Sequence, residues 1–218
     1  MKFLKRNSFF IYILTLIIVI NFFRKQRINK KNVQTIVIIR HGEKPKNDLG
    51  QLNCKGLNRA LALPKYFKNN FPKPDYVFAP KPITRYKPNT PPYYYIRPLM
   101  TIEPTAILFN RPVDITIPAV NPRLSQDIID KETDKIADEL LKQKYRNAVI
   151  YVAWEHLGVP PLAKNILNRF NMDSSNLPEW EHDDFDSVYV FEIDWNTDKL
   201  SYKIQNQNLN YVSSECPF

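Results

Sequence analysis

The chain has 218 residues, enough for one domain of ordinary size with a real core. Its net charge of +9 is unevenly placed: eight of the 31 basic residues lie in 1–31, which holds no acidic one, and all 22 acidic residues lie beyond. The remainder is nearly neutral, which argues against a general nucleic-acid-binding surface, because that needs a basic patch on the folded domain.

In chain order, Ser8 to Phe23 comes first, uncharged and flanked by basic clusters. As a helix it would span about 24 Å at ~1.5 Å per residue, against a hydrocarbon core of roughly 30 Å. Snorkelling Lys and Arg, with local thinning, can close that gap. A cleaved signal peptide is the rival reading, but Ile20-Asn21-Phe22-Phe23-Arg24 lacks the small residues of a cleavage site. A buried core helix is the third. The expectation is a single membrane anchor with a basic tether over 1–31, in contact with the lipid bilayer through 8–23, and a folded domain over 32–218. The side of the membrane stays open. The heavier C-terminal basic flank favours a cytoplasmic domain, whereas a short basic N-terminus like that of a signal would export it. Cys54 and Cys216 could pair outside the cytoplasm, but two cysteines this far apart in sequence are weak evidence for it, and two unpaired, partly buried thiols are the favoured reading.

Thr35–Ile39 is a short β-branched run, the mark of a strand buried on both faces. Leu57, Leu61, Leu63, Tyr66 and Phe67 predict a helix over 56–71 with a kink or late break at Pro64. A second strand follows at 75–79. The five prolines of 80–92 read as a surface loop serving a site. A helix starting near Pro98 should bend at Pro104. The clearest helix spans 125–144, with an apolar face of Ile128, Ile129, Ile136, Leu140 and Leu141. A buried strand at 148–153, a helix at 160–170 and two strands at 187–193 and 199–204 complete the chain. That order predicts an α/β sheet with helices on both faces.

Two of the three histidines follow predicted core strands: Arg40-His41-Gly42-Glu43 after the first, and Trp154-Glu155-His156-Leu157-Gly158 after the third. Ligands of open α/β sheets bind at the carboxyl ends of strands. Parallel neighbouring strands would bring both imidazoles to one rim. The third histidine, His182, lies among Glu181, Asp183 and Asp184 and reads as a solvated acidic turn rather than a metal site. Arg59 and Arg85 also read as solvated, with contact to substrate as the alternative for Arg85 in the proline-rich loop. Tyr93-Tyr94-Tyr95 is either packing or a wall facing substrate.

Arg-His-Gly after a buried N-terminal strand, with a later strand-end His, resembles the histidine phosphatase superfamily. Leu52-Asn53-Cys54-Lys55-Gly56 resembles the family's Leu-Thr-x-x-Gly element, with Asn in place of Thr. Arg97-Pro98-Leu99-Met100-Thr101 has the family's spacing of an arginine four residues before a threonine. The resemblance covers about residues 35–170. It implies a phosphoglycerate-mutase-like three-layer sandwich with a mostly parallel sheet. It also implies a metal-independent reaction needing no cofactor, in which His41 is phosphorylated by a phosphate monoester and water then removes the phosphate. Arg40, Gly42, Arg97 and His156 would hold the phosphate. Glu155 and Glu103 are the candidate proton donors for the leaving oxygen; Glu155 reaches the site only if its strand has already ended. Glu43 could instead orient neighbouring Arg or His groups. The rival class is a non-catalytic module of the same fold that binds a phosphorylated ligand or protein. The substrate and the oligomeric state are not specified by the sequence.

Overall fold

The computed structural model describes residues 32–47, 49–120 and 125–218. The expected anchor at 8–23 lies outside them. Among the described residues no helix is long and apolar enough to cross a membrane.

The folded unit, Val33–Phe218, is built on a six-stranded sheet. The sheet strands are β1 (Val33–Arg40), β2 (Tyr76–Pro80), β5 (Val113–Ile117), β6 (Val149–Trp154), β7 (Ser187–Asp194) and β8 (Lys199–Asn206), in the order β5-β2-β6-β1-β7-β8. β1 and β2 both run parallel to β6, and β2 runs parallel to β5; β7 is antiparallel to β1 and to β8. The expected mostly parallel centre is therefore present, with antiparallel strands at one edge.

Alternation along the strands explains the layers. Ile36, Ile38, Ile150, Val152, Tyr189 and Phe191 pack with Ile129, Ile136, Leu140, Leu162 and Ile166, from α3 (Gln126–Leu140) and α4 (Val159–Arg169). The opposite parity, Val37, Ile39, Tyr151, Ala153, Val188 and Val190, packs with Leu63, Phe67, Ile102 and Ala106, from α1 (Cys54–Asn70) and α2 (Arg97–Phe109). The central strands thus feed two cores, which is why they read as continuous apolar runs. α1 runs on through Pro64 and α2 through Pro104.

Two expectations are corrected. The proline-rich stretch is not a plain loop: β3 (Ile83–Arg85) and β4 (Tyr93–Tyr95) pair antiparallel, Ile83 opposite Tyr95 and Arg85 opposite Tyr93. The β-branched and aromatic residues supply the strand preference, and the prolines fall mainly at the turn between them. Secondly, Cys54 and Cys216 form a disulfide. It ties the chain's end to the first turn of α1, where Asn58 also donates to the carbonyls of Ser213 and Glu215. Sequence separation concealed a spatial neighbourhood, because the chain crosses back over α1 after β8.

Candidate active site

The two strand-end histidines meet because β1 and β6 are adjacent and parallel in register, Arg40 opposite Trp154. The His41 N–H donates to the Trp154 carbonyl at 2.9 Å, extending the ladder by one step. His41 Nδ1 lies 2.7 Å from the Gly42 carbonyl oxygen. A carbonyl only accepts, so Nδ1 carries the proton and Nε2 keeps its lone pair. Burial holds the His41 imidazole well below the ordinary histidine pKa, and the Arg97 and Arg40 cations lower it further, so the ring is neutral at pH 7.

The loop after β1 is clamped by the elements that follow it. Gly42 N–H donates to Thr101 Oγ1 at 2.9 Å, and the same hydroxyl donates to the Arg97 carbonyl at 2.8 Å. The four-residue spacing of Arg97 and Thr101 is thus one helical turn, with the arginine at the end of α2 that meets the His41 loop. Asn53 caps α1 by accepting from Gly56 N–H at 2.8 Å, and its amide donates to the Lys44 carbonyl at 3.1 Å. Asparagine caps as well as threonine does, so the departure at this position keeps the function of the residue. A Cβ on Gly56 would lie 2.3 Å from the Glu43 carbonyl oxygen, and one on Gly42 would lie 2.9 Å from the Gly56 oxygen. These two backbones pack without room for a side chain.

Arg40 is fully buried. Its Nη1 donates to the carbonyls of His182 and Asp184, both at 2.7 Å, and more weakly to Glu181 at 3.4 Å. The guanidinium lies 3.9 Å over the Phe185 ring. Its Nε and Nη2 have no hydrogen-bond partner among the described residues. Burial lowers its pKa to about 10, so it stays charged at neutral pH. Leaving buried donors unpaired costs roughly 1–3 kcal/mol each, more when charged, unless an anion takes them. Arg97, also buried, approaches Tyr95 to 4.6 Å, and Tyr95 stands edge-on to His41 with centroids 6.1 Å apart.

His156 follows β6 and is neutral at pH 7: burial, then Arg40 and His182, lower it to about 4. Its Nδ1 is buried without a partner among the described residues. β6 ends at Trp154, so Glu155 is free of the strand's alternation. Its carboxyl is buried, with Oε1 unpartnered among the described residues and Oε2 3.6 Å from Arg85. Burial raises its pKa to about 7 against the opposing pull of Arg85 and Arg97. Glu103 sits on an exposed position of α2. Glu43 is held by Arg59, Nε to Oε2 at 3.0 Å and Nη2 to Oε1 at 2.8 Å, which makes it a structural carboxylate.

The sequence-based readings of Arg59 and Arg85 as solvated are overturned. Arg59 is fully buried and also reaches Asp186, Gln207 and Asn210. Arg85 stacks 3.9 Å over Tyr95 and faces Glu155. The acidic turn does expose His182, yet its ring meets His156 edge-on at 5.7 Å and its backbone holds Arg40. Sequence reasoning missed this last role because main-chain acceptors leave no composition signal.

No protein-family model matches the chain, and no curated protein matches it. Solved structures do. A phosphoserine phosphatase from Entamoeba histolytica, in complex with 3-phosphoglyceric acid, superposes with TM-score 0.54 at 13% identity, covering 80% of this chain and 98% of that one. A histidine-to-alanine mutant of phosphoserine phosphatase from the same organism, in complex with phosphoserine, gives TM-score 0.53 at 15% identity, covering 81% and 98%. Both are members of the histidine phosphatase superfamily. With strand-end histidines on adjacent parallel strands and that architecture over four-fifths of its length, the chain has the histidine phosphatase, or phosphoglycerate-mutase-like, fold.

Proposed function

We propose that this protein is a phosphatase that hydrolyses a phosphate monoester through a phosphohistidine on His41. The observation that carries the reading is Arg40: a fully buried guanidinium with one nitrogen fixed by carbonyls and two others without a partner among the described residues, next to a neutral imidazole whose Nε2 keeps its lone pair. That arrangement fits a phosphoryl group, whose transfer is mainly a matter of positioning and charge stabilisation. The architecture shared with phosphoserine phosphatases supports it.

In the first step His41 Nε2 attacks phosphorus, the bond to the ester oxygen breaks, and Glu155 protonates that oxygen. Arg40, Arg97 and His156 hold the equatorial oxygens, while Gly42, expected from the sequence to sit against the phosphate, instead lets the His41 loop pack on Gly56 of α1. In the second step water attacks phosphorus, its proton goes to the Glu155 carboxylate, and the P–N bond breaks to release phosphate. Glu155 suits both roles because its pKa lies near neutrality. No step draws on a metal ion or cofactor. Residues 8–23 serve as a membrane anchor in this reading. The Cys54–Cys216 bond supports a position for the domain on the oxidising side.

Full-length protein is assayed with p-nitrophenyl phosphate in the presence of a chelator. The expected result is turnover that His41→Ala abolishes. Binding of phosphate without turnover would favour the non-catalytic module instead.

A further inference from the structure

The β3–β4 hairpin stands between β2 and α2 and brings two side chains into the buried cluster. Tyr95 is buried, its ring flanked by Arg85 at 3.9 Å and Arg97 at 4.6 Å. Arg85 Nη2 lies 3.6 Å from Glu155 Oε2 and 3.4 Å from the Val120 carbonyl. Glu155 is thus faced by Arg85 from β3, Tyr95 from β4, Arg97 from α2 and the Val120 backbone beyond β5. β3 and β4 form a two-stranded sheet of their own, separate from the six-stranded one. Arg85 lies on a three-residue strand and its guanidinium stacks over a tyrosine face, which fixes where its charge sits.

We propose that Arg85 is a positioning residue for catalysis: stacked on Tyr95, it fixes the Glu155 carboxyl by its Oε2 edge, leaves Oε1 to carry the proton, and sets the upper pH limit of the reaction. The inference rests on the phosphatase reading with Glu155 as proton donor. Its logic is charge-specific. A cation close to a carboxyl favours the ionised form. Removing Arg85 therefore lets Glu155 keep its proton to higher pH, while the loss of the stacked fork loosens the carboxyl and lowers the rate.

The test is the pH profile of kcat/KM for full-length protein, which reports groups of the free enzyme. Phenyl phosphate is the substrate, because its poor leaving group needs the proton. In wild type the activity falls on the alkaline side, and Glu155→Gln removes that fall along with most of the rate. In Arg85→Gln the alkaline limb moves up by about one pH unit, and the plateau drops. In Arg85→Lys the limb stays near that of wild type while the plateau still drops, because charge is kept and the planar stack is lost. Each variant decides the matter alone should the other fail to fold. A limb that stays put or moves down in Arg85→Gln overturns the inference, as does a limb in Arg85→Lys that rises by a full unit. An alkaline limb that survives Glu155→Gln overturns it too, yet leaves the phosphatase reading standing. Wild-type protein without turnover overturns both.

Discussion

Arg40 and Arg59 are both fully buried arginines, and they have opposite fates. Arg59 is saturated: Glu43 takes two of its N–H groups, and Asp186, Gln207 and Asn210 take the rest of its donor directions. Burial depresses its pKa, but Glu43 and Asp186 more than offset that, so it sits above its ordinary value. For Arg40 burial wins and the pKa falls. Its fixed nitrogen meets only carbonyls, and Nε and Nη2 meet nothing among the described residues. One arginine is finished by the fold. The other is held in position by the fold and keeps two buried nitrogens without a partner among the described residues, which the proposed reaction fills with the substrate's phosphoryl group. The comparison separates a residue whose donors are all used by the fold from one the proposed chemistry would use, although both look alike in sequence and in burial.

The largest effect that could break this contrast is catalytic. Arg40→Gln should lower kcat/KM on the order of 10²–10³-fold or more, the scale of losing a preoriented donor to developing charge. Its thermal unfolding should stay close to wild type. Arg59→Gln should do the reverse: unpairing Glu43 and Asp186 in the interior costs about 3–5 kcal/mol of stability by urea titration, with kcat of the surviving fold little changed. A smaller loss, about 2–4 kcal/mol, is expected for Cys216→Ser, measured the same way under non-reducing conditions. It would show how far the Arg59 network depends on the strap that closes over α1. The smallest effect is in pH. His41 titrates well below 6.5 and Glu155 near 7, so kcat/KM for a poor leaving group should hold up on the acid side of neutrality. It should fall about tenfold per unit above the Glu155 pKa as the proton donor ionises. With p-nitrophenyl phosphate, which leaves unaided, that alkaline fall should be shallow.

Much of the site was legible because it hangs on periodicity. Buried parallel strands are continuous apolar runs, and a histidine placed at the end of each of two such runs predicts a shared rim; β1 and β6 are indeed neighbours. The Arg97–Thr101 pair was legible through its family-like spacing, which the structure shows to be one turn of α2. Arg59 and Arg85 were not legible, because a lone arginine carries no mark of its partners. Those of Arg59 lie 16, 127, 148 and 151 positions away. The β3–β4 hairpin was hidden by its prolines, although Ile83-Thr84-Arg85 and Tyr93-Tyr94-Tyr95 carried a strand signal between them. The disulfide joins residues 162 positions apart and depends on the path of the chain after β8. What sequence hides here is long-range pairing of polar groups, and that pairing decides which buried arginine keeps unpaired donors among the described residues.

The measurement that bears most directly on the mechanism is chemical trapping of the intermediate. Full-length protein is mixed with p-nitrophenyl phosphate, quenched in alkali within the first turnovers, and mapped by mass spectrometry. The expected result is one acid-labile, base-stable phosphoryl group on His41, absent from His41→Ala. Undiminished turnover by His41→Ala, or a phosphoryl group on any other side chain, would contradict it.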